Sequence, residues 1–228
     1  MHLDTSAANL DGSNTNVRLD QAPDTCPRCH RSVHPKFITA QAFDDRTKCQ
    51  AAYRCTHHKC QEMFLGTYRF QGESAGRRHF SLWNVSPVIA KSTAFPQVIQ
   101  DISPTFSEIF NQAEHAEAAE LDQLVGIGLR KALEFLVKDF AVSENAGKEQ
   151  EIRNSLLGSC IANFIDDANV KECAKRAAWL GNDETHYTRK WDTKDVSDLK
   201  LLVRLTVNWI ENSLLTKKYI AEMQAGGA

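Results

Sequence analysis

The chain has 228 residues, 42% hydrophobic and 25% charged, with a formal net charge of −2 at pH 7; this leaves room for one sizeable core and a small accessory module. No stretch approaches the roughly 20 successive apolar residues of a membrane-spanning helix, so no membrane partner is expected. The seven cysteines are odd in number and five crowd between positions 26 and 60, which argues against a disulfide framework and for metal chelation in a reducing, cytoplasmic setting.

Residues 1–24 combine neither a basic region with an apolar run nor a small-residue cleavage site, so they do not read as a secretory signal. Rich in Asn, Asp, Ser and Thr, they predict a disordered tail.

Residues 25–83 read as a zinc ribbon. Cys26-Pro27-Arg28-Cys29 and Cys55-Thr56-His57-His58-Lys59-Cys60 are two short loops, each holding two sulfurs at chelating distance, and 25 residues between them bring the pairs together. Four thiolates from two such pairs close one tetrahedral shell, so Cys26, Cys29, Cys55 and Cys60 are the expected ligands of one structural zinc ion. Cys49, His30, His34, His57 and His58 lie close enough in sequence to compete. A catalytic zinc would need an open coordination position, which four thiolates do not leave. Alternating, β-prone stretches at 31–39, 51–54 and 63–70 predict short strands around the metal loops. So small a sheet has little core of its own, and its stability is expected to come largely from the metal, on the order of 10 kcal/mol.

Charge is uneven. Residues 25–80 carry ten basic side chains (six of them Arg28, Arg31, Lys36, Arg46, Arg54 and Lys59) against four acids, Asp44, Asp45, Glu62 and Glu73, leaving the head at +6 and the remainder at −8. Arg28, Arg31, Arg54 and Lys59 are the candidate nucleic-acid contacts, since lysine and arginine displace counterions from a phosphate backbone. The competing reading is that the same charges offset the thiolates.

Residues 84–103 read as a linker punctuated by Pro87 and Pro96, after a further strand near 80–83. Ser103 and Pro104, an N-cap and a first-turn proline, open a helical bundle over 104–224. Leu129, Leu133, Leu136, Val137 and Phe140 form one apolar helix face, with Arg130 and Glu134 beside it as an i,i+4 ion pair. Leu157, Cys160, Ile161 and Phe164 mark the next helix, and Val170, Ala174 and Ala177 another, with Cys160 and Cys173 as small buried hydrophobes. The closing helix is opened by Asp192 or Thr193. Leu201 and Leu205 widen its apolar face, which predicts a homodimer. Between these helices stands a polar segment running from Trp179 to Tyr187, in which Gly181 reads as the C′ residue ending a helix. His186 then lies in a loop, either as a base or as a hydrogen-bonding lock.

The segments Gly128-Leu-Arg-Lys-Ala-Leu-Glu134 and Ala177-Ala-Trp-Leu-Gly-Asn-Asp-Glu-Thr-His186, followed by the long closing helix, resemble the bacterial helical family called domain of unknown function 4145. That family is similar in layout to HEPN helical domains, and its members often carry an N-terminal zinc ribbon or are fused to restriction and other phage-defence proteins. The resemblance implies an α+β chain, a small N-terminal β-rich zinc ribbon followed by an all-α HEPN-like helical bundle. Active HEPN ribonucleases use an arginine, a polar residue and a histidine at short spacing, paired across a dimer and acting without a metal. Asn182 and His186 fit the polar residue and the histidine, but the arginine position is Gly181, and neither Leu180 nor Trp179 is basic. A phosphoryl-transfer transition state needs positive charge placed in advance, which Arg130, Arg176 or Arg189 would have to supply from elsewhere. The expectation is a non-catalytic adaptor or regulator that binds nucleic acid or a partner protein, in phage defence. The alternative is a metal-independent ribonuclease using catalytic His186 and Asn182 with Arg130 as a displaced arginine.

Overall fold

A computed structural model describes residues 2–43 and 47–223. Met1, residues 224–228 at the end of the expected bundle, and Asp44, Asp45 and Arg46, counted in the charge of the head, lie outside the described residues. The chain divides into two compact units, one ending at Lys91 and one beginning at Ser92.

Among the described residues the first unit holds six strands: β1 (Leu3–Ala8), β2 (Asn14–Leu19), β3 (Lys36–Ala42), β4 (Lys48–Arg54), β5 (Met63–Ser74) and β6 (Arg77–Ser86). They close into a barrel in the order β1-β2-β6-β5-β4-β3. β3 to β6 form an antiparallel meander. β1 and β2 form a hairpin whose outer edges pair in parallel, β2 with β6 through Val17–Arg78 and β1 with β3 through Ala8–Gln41. Closure removes the exposed strand edges that a small open sheet would present.

This barrel corrects the expected zinc ribbon, and the hairpin corrects the expected disordered tail over 1–24. The polar composition of that tail hides a period of two: Ala7, Val17 and Leu19 point inward and are fully buried, while their polar neighbours face water. The turn joining the strands uses Gly12 at φ 83° and an Asp11 carboxylate that accepts from the Ser13 N–H at 2.8 Å, as such turns require. Asp4 of β1 pairs in register with Arg18 of β2, accepts both guanidinium N–H groups at 2.7 and 2.8 Å, and also receives Arg77 of β6 at 2.9 Å. One carboxylate therefore ties three strands.

The barrel interior also corrects the expectation of a domain held mainly by metal. Tyr53, Phe64, Tyr68 and Phe80 fill it with Val17, Leu19 and small alanines. Tyr68 donates to the Gln21 carbonyl at 2.9 Å, so Tyr53 is left to donate to the Tyr68 oxygen at 2.6 Å; both buried hydroxyls are satisfied. Gly66 faces these rings, and a β-carbon there would stand 2.9 Å from Tyr68.

The second unit is built of helices among its described residues: α1 (Gln97–Ile102), α2 (Pro104–Ala118), α3 (Asp122–Glu144), α4 (Glu149–Asn154), α5 (Leu157–Phe164), α6 (Ala168–Asp183) and α7 (Val196–Glu222). The chain is α+β, but the HEPN-like bundle is matched only in part, as a helical region. The apolar face of α3, Leu129, Leu133, Leu136, Val137 and Phe140, is buried at the centre of the helical core. Gly128 lets α3 approach α2, since a β-carbon there would lie 2.9 Å from that of Ala113.

Several boundaries differ from expectation. Part of the expected linker belongs to folded units: β6 reaches Ser86, Phe95 packs against Phe106 and Phe110, and α1 follows. Ser103 precedes α2, yet its hydroxyl donates to Asp139 at 2.5 Å instead of capping the helix. α7 opens at Asp195, not Asp192 or Thr193, because Asp195 and Asp198 form a reciprocal capping box. Gly181 does not end a helix: α6 continues to Asp183, and Gly181 is buried within it.

Candidate metal centre

The two cysteine loops are built alike. In the first, the Cys26 N–H donates to Arg31 O at 3.0 Å and the His30 N–H to Cys26 O at 2.8 Å. In the second, the Cys55 N–H donates to Glu62 O at 2.9 Å, and the N–H groups of Cys60 and Gln61 both donate to His57 O. Each loop reverses just past its second cysteine through a left-handed residue, His30 at φ 55° and Gln61 at φ 54°. The reversal turns a backbone N–H toward sulfur two residues back, Arg31 to Cys29 and Glu62 to Cys60. Cys55 receives the His57 N–H at 3.4 Å.

The four sulfurs of Cys26, Cys29, Cys55 and Cys60 lie within 4.8 Å of one another. Two approaches cross between the loops, Cys26 to Cys60 at 3.9 Å and Cys29 to Cys55 at 3.8 Å. A tetrahedral ion with bonds of roughly 2.3 Å to four sulfurs sets them about 3.8 Å apart, so the cluster is dimensioned for a metal ion. All seven cysteines are free thiols. Burial pushes the Cys55 thiol up to about 12. At Cys29 the same burial is outweighed by the Arg31 N–H and the neighbouring sulfurs, and the thiol falls below its ordinary value. A cation held by these four sulfurs would supply the positive charge that lets all four ionise.

The competing ligands fall away. Cys49 is buried in the barrel wall outside the cluster, with its thiol pushed up to about 12 by burial. His30, His34, His57 and His58 are also outside it; the His57 and His58 rings rest on each other, 4.7 Å between centroids. Burial and the nearby Arg31 hold His57 below its ordinary pKa.

Arg28, Arg31, Arg54 and Lys59 are all exposed within or beside the two loops. Arg28 donates to Met63 O at 2.9 Å, and Arg54 to the Gln61 carbonyl and side-chain oxygens at 3.2 and 3.0 Å, so these two also brace the loops.

In the helical unit, Arg130 of α3 reaches Asn182 of α6 at 2.8 Å and Glu134 at 3.2 Å. Lys138 adds a second cation to Glu134 at 2.8 Å. Burial raises the Glu134 carboxyl, but Lys138 and Arg130 outweigh it and hold the group below the usual range. His186 stands apart, exposed in the loop after α6 and lining a cleft of about 680 Å³ with Trp179, Asn182 and Trp191. Among the described residues no hydrogen bond or ion pair joins His186 to Arg130. The loop is held by buried Asp183, which accepts the N–H groups of Lys190 and Trp191 at 2.9 and 2.7 Å. That brings the Trp191 ring parallel to Trp179, 5.9 Å between centroids.

No helix among the described residues is long and apolar enough to cross a membrane. Comparison with family models, with curated proteins and with solved structures finds no match to this chain.

Proposed function

We propose that the four-cysteine cluster holds one structural zinc ion, that the loops around it bind nucleic acid, and that the chain acts as a non-catalytic adaptor or regulator. A closed tetrahedral shell of four sulfurs suits zinc and leaves no position for substrate. The observation that carries the binding role is the grouping of exposed Arg28, Arg31, Arg54 and Lys59 in and beside the two metal loops. The helical unit pairs with a second copy through α7, where Leu201, Leu205 and Trp209 are exposed at successive helical turns. The motifs that resemble the family called domain of unknown function 4145 support a role in phage defence, and the free cysteines support a reducing, cytoplasmic setting.

The test is a gel shift with the zinc-loaded chain at low and moderate salt. Affinity should fall steeply with salt, and replacing the four basic residues with Gln should weaken it while metal content stays the same. No shift at low salt would overturn the reading.

A second reading, a metal-independent ribonuclease with Arg130 as a displaced arginine, is supported by one observation: Arg130 lies against Gly181 and bonds Asn182. Its guanidinium is already engaged by Glu134 and Asn182, and His186 has no bond to it, so the non-catalytic reading is preferred. RNA cleavage by the purified chain that is lost in His186→Ala would reverse that preference.

A further inference from the structure

We infer that the outer face of the β3–β6 meander is a binding face for single-stranded nucleic acid, with Trp83 as the platform on which a base stacks. The inference rests on the nucleic-acid reading above and adds a surface, and a strandedness, that the metal loops do not supply.

Strand register defines the face. Across neighbouring strands, outward residues line up in rows: Lys36, Arg54 and Met63; then Thr39, Ala52 and Leu65; then Gln41, Gln50, Thr67 and Asn84; then Lys48, Arg69 and Ser81. Cations thus stand at both ends, and apolar and amide side chains lie between them. Lys48 and Arg54 are six residues apart on one strand, a separation of about 20 Å. The only acid within these four strands is Glu73, at the far end of β5 opposite Arg78. Carboxylates on the neighbouring strands are engaged elsewhere: Asp4 by Arg18 and Arg77, and Asp20 by the N–H groups of Gln21 and Leu82. A surface with cations at both ends and, among the described residues, no acid in its four rows complements a phosphodiester chain.

The middle of the face selects for unpaired bases. Trp83 is 56% exposed, with the Arg69 guanidinium 3.8 Å from the centre of its ring. Trp83 lies in a bulge of β6, where the pairing shifts between Thr67–Asn84 and Tyr68–Leu82. A bulge re-aims a side chain out of the pleat. With Arg69 on one face, the other face of the indole can receive a base, and the guanidinium stays beside the phosphate. Gln41 offers its amide to base edges, as do the Gln50 oxygen, whose Nε2 is bonded to Thr67, and the Asn84 Nδ2, whose oxygen accepts from the Val85 N–H, while exposed Ile38 and Leu65 give the bases an apolar floor. In duplex nucleic acid the base faces are covered by their neighbours, so this arrangement is specific to single strands.

The experiment is fluorescence anisotropy with the full zinc-loaded chain and labelled single-stranded DNA, single-stranded RNA of the same sequence, and duplex DNA, at low salt. Both single strands should bind more tightly than the duplex; the DNA and RNA arms show which is the natural class. Trp83→Ala should weaken single-strand binding about tenfold or more, the loss of one stacked base, with unchanged metal content and fold. Arg69→Gln should weaken binding and reduce its salt dependence. If Trp83→Ala binds as wild type while substitution of Arg28, Arg31 and Lys59, which lie outside the face, weakens binding, the face is wrong and the metal-loop reading stands. Equal affinity for duplex also overturns the inference. If the wild-type chain binds none of the three probes, both readings fall.

Discussion

Gly181 of α6 lies directly under Arg130 of α3: a β-carbon at Gly181 would stand 2.8 Å from both Cβ and Cγ of the arginine. The stem of Arg130 crosses the helix where a side chain would otherwise be, and its guanidinium then reaches Asn182, the next residue along. A glycine that reads as a helix stop is a point of close helix contact.

Gly181→Ala should therefore destabilise the helical unit by about 1–3 kcal/mol, because the atoms it meets are the base of the arginine side chain and cannot swing aside. Alanine is otherwise the better helix former, so a free helix position would gain stability. Urea unfolding followed by helical circular dichroism measures the sign; a stabilised variant would show that the contact yields.

The sulfur cluster separates ligand from bystander. Cys26→Ser should abolish stoichiometric metal binding, whereas Cys49→Ala should retain it, since Cys49 is buried in the barrel wall outside the cluster. Chelation should lower the unfolding midpoint of the barrel without abolishing its fold, because the interior has its own core of Tyr53, Phe64, Tyr68 and Phe80. Metal analysis and thermal unfolding of each variant, with and without chelator, check both statements.

Asp4 predicts an acid-side effect. The Arg18 hydrogen bonds lower its carboxyl from 3.8 to about 2 in the folded chain, with Arg18 and Arg77 adding to the same side. For a depressed carboxyl, the stabilisation is fully present above the unfolded value and is lost as pH falls through the folded one. The stability difference between wild type and Asp4→Asn should thus be constant above pH 5 and shrink between about pH 4 and pH 2. Denaturant titrations at a series of pH values test this; a difference that does not change with pH would mean that the carboxylate is not what joins the three strands.

Local pattern was enough for the features whose causes are local. The two short cysteine loops were legible because chelation is decided by spacing within each loop, and the pairs needed only to meet. The buried face of α3 was legible because helical periodicity is written into successive residues. Other features needed the tertiary structure. The strands β1 and β2 carry few large apolar residues, and their role depends on pairing with β6 and β3, which lie tens of positions away in sequence. Gly181 cannot be distinguished from a helix terminator until α3 is seen against it. Trp83 and Arg69 meet only when β5 and β6 pair around a bulge. The amino-acid sequence alone determined the two pairs of clustered cysteines and the apolar faces, because these follow from short-range spacing. The closed barrel, the place of Arg130 and the composition of the outer sheet face were decided by contacts between distant segments, which no local pattern encodes.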